Sequence, residues 1–209
     1  MNYELLFISW VLLTLLAVNL WAMANIIDKF VVSKHLKNPF ILVSLGTVPT
    51  LIYTLILTSI FGLSIPNMFY GIAAFLLGIL VFGAVLLYYK ALNYEEVSRV
   101  IPLYSISVIF TLVLATIFLG EIFTFGKYLG VALLILGSVL ISYKHHQKKN
   151  KFSKAFTLMT IASLIYAVFY VVNKYLSFNM DFMSIFILSQ FGIIACGMIS
   201  FLAYRNEIR

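Results

Sequence analysis

Apolar residues in this chain run on for too long to alternate as strands or to mark one face of a surface helix. Charges and turn-forming residues fall between the runs. No Asp, Glu, Lys or Arg stands between Lys37 and Lys90, and the only break in that window is Ser64-Ile65-Pro66-Asn67. Each side of the break exceeds the roughly 20 residues a helix needs to cross hydrocarbon. Read this way, the whole chain gives seven spans: about Leu5 to Ile27, Pro39 to Leu63, Met68 to Tyr89, Val100 to Gly120, Thr124 to Tyr143, Ala155 to Val172 and Phe182 to Tyr204. Lipid offers a lone segment no backbone partner, so each span is predicted to be a helix. The expected fold is an all-α membrane protein with seven transmembrane helices.

Composition agrees: 63% of residues are apolar and 10% charged, and the mean hydropathy is +1.08. A water-soluble domain carries about 25% charged residues, so that class is excluded. The pI near 9.4 does not argue for nucleic acid, because the basic residues lie between spans. Twelve of the 14 Lys and Arg residues fall on one side, after spans one, three, five and seven. The positive-inside rule places that side in the cytoplasm and the N-terminus outside. Cys196 is the single cysteine, so neither a disulfide framework nor a thiol metal site is expected. No basic n-region or small-residue cleavage site precedes the first span, which therefore reads as a retained helix.

An internal repeat organises the spans. Shifting the chain by 145 positions lays Ala17 on Ala162, Trp21 on Tyr166, Asn25 on Tyr170, Asp28 on Asn173 and Lys29 on Lys174 without a gap. The repeat unit is thus five helices, residues 1–143. A basic linker, 144–154, leads to the first two helices of a second unit, 155–209. An odd number of crossings per unit inverts the second unit, the plan of many secondary transporters. Two full units would need ten helices, so the chain is expected to be a fragment, or to draw its missing helices from another chain.

Tyr88-Tyr89-Lys90-Ala91-Leu92, then Ser98, Val100 and Pro102-Leu103, then Phe118-Leu119-Gly120-Glu121 and Thr124, and last the Gly130 to Gly137 segment form an ordered set. This set resembles EamA-type members of the drug/metabolite transporter superfamily. The resemblance implies a ten-helix carrier of small metabolites such as amino acids or sugars, in the plasma membrane of a prokaryotic cell. It also implies a cytoplasmic N-terminus, opposite to the charge count.

Candidate site residues follow from helical spacing. Trp21, Asn25 and Asp28 lie at i, i+4 and i+7 and share one face; their repeat partners Tyr166, Tyr170 and Asn173 do the same. Facing one another across an inverted repeat, the two stripes would line a cavity with aromatic walls and amide hydrogen bonds, suited to a small amphiphilic solute. The competing reading is an interfacial aromatic belt with ordinary interhelical bonds, and it weighs most for Tyr89 and Asp28. Tyr88 and Tyr104 reach toward the solute from one end, and Pro102, near a helix start, is the candidate hinge. Gly120 and Glu121 are structural: the glycine turns the chain, and the carboxylate accepts from amides opening the next helix. Glu95 and Glu96 read as solvated beside Arg99. Gly71, Gly78 and Gly83, with Gly126, Gly130 and Gly137, read as helix-packing positions.

No carboxylate stands in the middle of a span, so proton-coupled export finds no obvious coupling group. His35, His145 and His146 fall in loops with no metal or catalytic spacing, so neither an enzyme nor a cofactor is expected. A heptahelical receptor does not predict a repeat that divides seven helices as five and two. The expected partners are the lipid bilayer and a small solute. A non-transporting membrane subunit and a flippase for lipid-linked intermediates stay open as alternatives.

Overall fold

The structure, a computed structural model, describes residues 3–34, 38–142 and 149–205. In chain order they form α1 (Tyr3–Lys34), α2 (Pro39–Phe61), α3 (Met68–Leu92), a one-turn α4 (Val97–Val100), a 3₁₀ segment (Ile101–Ser105), α5 (Ile106–Leu119), α6 (Phe125–Ser142), α7 (Lys149–Leu176) and α8 (Phe182–Tyr204). From α4 to α5 the chain makes one crossing, so among the described residues seven stretches are long and apolar enough to span a membrane, as the sequence predicts. Alternation of direction makes α7, the sixth crossing, run opposite to α1.

Short polar residues start the helices. Asn38 accepts from the Phe40 amide at 2.9 Å with Pro39 in the first turn, Asn67 accepts from the Phe69 amide at 2.9 Å, and Asp181 accepts from the Ser184 amide at 2.8 Å. Each satisfies one of the orphan donors at a helix N-terminus. Gly62 and Gly120, both at positive φ, end α2 and α5.

Three helices outrun their apolar spans: α1 continues to Lys34, α4 begins at Val97 and α7 begins at Lys149. Hydropathy marks the edge of the hydrocarbon, whereas a helix can continue past it into the polar interface, where its ends are solvated. Residues 149–154, expected in the linker, are therefore helical. The loop histidines His35, His145 and His146 lie outside the described residues.

α2, α3, α7 and α8 make the packed centre, with α5 against α7. The tightest crossing joins α3 and α8. A Cβ on Gly78 would strike the Ser189 carbonyl oxygen, and one on Gly192 the carbonyl of Phe75. Gly197 seats the side chain of Thr47 on α2 in the same way. Lipid gives little drive for apolar helices to associate, so backbone proximity of this kind is their main adhesive. Of the glycines expected to pack, Gly78 does so and Gly71 meets only the side chain of Ile65. Gly83, Gly126, Gly130 and Gly137 face open space, with nothing within 4 Å.

α1 and α6 are peripheral. Asn25 and Val32 are the buried residues of α1 from Trp10 onward, so the described side chains of that helix meet the bundle mainly in its C-terminal half. At the C-terminal end of α1, here called the basic end, α3, α6 and α8 also finish and α4 and α7 begin.

Candidate functional site

On α1, a helix mostly exposed, the amide Asn25 is buried because it turns toward α3. The Tyr88 hydroxyl donates to Asn25 Oδ1 at 3.0 Å, with Asp28 Oδ2 at 3.4 Å. Tyr89 donates to the other Asp28 oxygen at 3.0 Å. Two adjacent tyrosines at the end of α3 thereby bind one helix face of α1.

The break in the next crossing presents Tyr104. Proline has no amide proton to give and fixes its own φ. Pro102 sits in the first turn of the 3₁₀ segment, which tightens the chain between α4 and α5. The segment brings the Tyr104 ring among three others, with centroids 5.8 Å from Tyr88, 6.4 Å from Trp21 and 5.4 Å from Tyr166. Tyr166 in turn lies 6.2 Å from Tyr170, one turn along α7. All these separations fall in the range where aromatic pairs attract. Trp21, Tyr104, Tyr166 and Tyr170 thus form a ladder from α1 to α7, joined to the Asn25–Tyr88–Asp28–Tyr89 network at the basic end.

Six of the residues singled out in the sequence, Trp21, Asn25, Tyr88, Tyr104, Tyr166 and Tyr170, stand in this one arrangement. Asn173 does not join it: half-buried a turn beyond Tyr170, its side chain makes no hydrogen bond among the described residues. The α1 and α7 stripes do not meet face to face as expected, because Tyr104 stands between Trp21 and Tyr166. Asp28 and Tyr89, for which a belt role weighed most, are both network members. The signal for Asp28 was its place one turn beyond Asn25 on the same face.

Two expectations about charge are corrected. Glu95 is buried, and so is Arg99; Arg99 Nη1 meets Glu95 Oε2 at 2.6 Å, while Arg99 Nε donates to the Ser142 carbonyl at 3.1 Å. Lys29 Nζ reaches the carbonyls of Leu92 and Glu95 at 2.6 and 2.8 Å. It therefore satisfies groups at the end of α3 that the helix leaves orphaned. Glu95 is desolvated because the ends of α1 and α6 cover the α3–α4 turn. Glu121 does not cap α6; its carboxylate pairs with Lys174 Nζ at 2.5 Å. Gly120 does turn the chain, at φ +66°, with its amide bonded to the Ala115 carbonyl. Outside the spans, the Ser184 amide holds the Asp181 carboxyl below its ordinary pKa.

A cavity of about 450 Å³ opens between α5, α6 and α7, walled by Leu112, Phe123, Lys127, Val131, Leu134 and Tyr170 among others. It shares Tyr170 with the aromatic ladder.

Among curated proteins, the chain is 41% identical over 64 residues to an uncharacterized protein of Methanocaldococcus jannaschii. The match takes in 31% of this chain and 46% of that protein, so the chain spans about half the length of the curated relative it matches. No solved structure matches. The EamA-like transporter family profile matches residues 8–143, from α1 to the end of α6, well over half of the sequence. This integral, multi-pass membrane protein belongs to the EamA-like transporter family.

Proposed function

We propose that the protein is a carrier for small amphiphilic metabolites, amino acids among them, and that its solute path runs along the aromatic ladder. The observation that supports this best is Tyr104, held at a break in a membrane crossing and in ring contact with α1, α3 and α7. Discontinuous helices at a repeat interface are where secondary transporters place their binding sites. Trp21, Tyr88, Tyr104, Tyr166 and Tyr170 supply apolar faces, and Asn25 supplies an amide group. In this reading the five-helix unit, residues 1–143, rocks against the helices of the second unit, residues 155–209, about the 3₁₀ segment at Pro102, giving alternating access.

Uptake of labelled amino acids and sugars into proteoliposomes tests it. Tyr104→Ala and Trp21→Ala should each lower uptake of the accepted solute at least tenfold while insertion stays intact, and Tyr104→Phe should retain most of it. Unchanged uptake in both alanine variants sinks the ladder as the path.

A further inference from the structure

The cavity between α5, α6 and α7 has an uneven chemistry. Its long walls are apolar, and the hydroxyls of Ser107 and Thr111 are turned to their own helix, donating to the carbonyls of Tyr104 and Ser107 at 2.6 and 2.7 Å. The remaining donors on its lining are the Lys127 ammonium and the Tyr170 hydroxyl, and neither has a hydrogen-bond partner among the described residues. No carboxylate lines the cavity, and the nearby Glu121 is engaged by Lys174. Lys127 rests over the Phe123 ring, 5.5 Å from its centroid, at the start of α6. Gly130, one turn further on, leaves the groove open, with nothing within 4 Å of where a Cβ would stand.

We propose that this groove is a binding site for an amphiphilic carboxylate. Its acid head lies on Lys127, the Tyr170 hydroxyl donates a second bond, and its apolar body lies along Leu112, Val131 and Leu134. The volume falls within the roughly 300–1,000 Å³ of small-molecule sites. A buried apolar body needs no polar partner, whereas an anion needs donors, and among the described lining residues Lys127 and Tyr170 are the two whose donors are not already turned to a carbonyl. Because Tyr170 belongs to both the groove and the ladder, the site names a solute class and a point of entry for the carrier. That role rests on the carrier reading, but binding itself is measured without transport.

The test is equilibrium binding of labelled octanoate to the full chain in phosphatidylcholine nanodiscs. Octanoate should bind, with octanol and octylamine competing far less well. Lys127→Gln should weaken binding about tenfold, the scale of one lost charge-assisted bond. Lys127→Arg should restore most of it, and Gly130→Leu, which fills the groove from its open side, should abolish it. Unchanged affinity in Lys127→Gln, or competition by octanol equal to that of octanoate, would overturn the assignment. Displacement of octanoate by added phosphatidylglycerol would overturn it too, since the groove would then be an acidic-lipid site. Trp21→Ala, which lies off the groove, should retain octanoate binding whether or not it lowers uptake. The two proposals therefore fail separately, and loss of octanoate binding in this variant would place the probe in the ladder instead.

Discussion

The two ends of the bundle hold themselves together by different means. At the basic end the polar groups are buried and tied across helices far apart in sequence. Lys29 reaches carbonyls at the end of α3, Arg99 joins Glu95 to the last residue of α6, and Tyr88 and Tyr89 hold Asn25 and Asp28 of α1. At the opposite end the polar contacts are nearer water. The Lys174 side chain is 52% exposed, Asp181 caps from the surface, and Lys127 stands at the mouth of an open cavity. A desolvated pair resists separation because each partner, once alone, is left charged in a poor solvent; an exposed pair exchanges its contacts for water at little cost. In that sense the basic end is the more closed of the two: its polar contacts cost more to separate than those of the other end.

The strongest way to break that contrast is to remove one half of the buried pair. Glu95→Ala leaves Arg99 charged and covered, and loss of one partner of a buried pair costs about 3–5 kcal/mol. The expected outcome is a large fall in the yield of monodisperse protein and in its thermal midpoint by size-exclusion monitored melting. The double replacement Glu95→Leu with Arg99→Met removes both charges and should recover most of the loss. A Glu95→Ala protein as stable as the parent would mean that water reaches this pair and that the basic end is no more closed than the other.

That prediction was out of reach of the sequence, and the reason is physical. Glu95 and Arg99 follow an apolar helix in a stretch rich in charge, so local pattern reads them as solvated. What covers them arrives from Ser142, 43 residues after Arg99, and from Lys29, 66 residues before Glu95. The same holds for Gly192 and Gly197. Their value lies in the backbone and side chain they meet on α3 and α2, which no period along α8 announces. The spans were legible because the exclusion of charge from hydrocarbon acts residue by residue. The ladder and the network beside it were largely legible because Trp21 and Asn25 share one helix face, as do Tyr166 and Tyr170, and the repeat in the sequence flagged both pairs. Its centre was not: nothing local to Tyr104 says that the 3₁₀ segment turns it between Trp21 and Tyr166.

A smaller effect sharpens the comparison within the basic end. Tyr88→Phe keeps the ring contacts with Tyr89 and Tyr104 but removes the proton that Asn25 Oδ1 accepts in a buried site. An acceptor left unsatisfied in such a place costs about 1–3 kcal/mol. The melt should shift down by several degrees, less than for Glu95→Ala. Tyr89→Phe should shift it less again, because Asp28 is only partly buried. Equal shifts in the two would mean that the two hydroxyls meet the same environment, and that burial of Asn25 is not what separates them.

The smallest effect lies at the opposite end and gives the comparison its other limb. Glu121→Gln removes the charge that Lys174 pairs with, yet a pair with one exposed partner contributes about 0–1 kcal/mol. Thermal stability should change by no more than that, and the change should shrink in high salt, where ions screen the pair through the exposed Lys174 ammonium. The loss in Glu95→Ala should persist in the same salt, since ions do not reach a covered pair. The decisive observation is therefore the ratio of the two losses at low and high salt. If both shrink together, the ends are solvated alike and the closed basic end is a misreading; if only the Glu121 loss shrinks, water access separates the two ends.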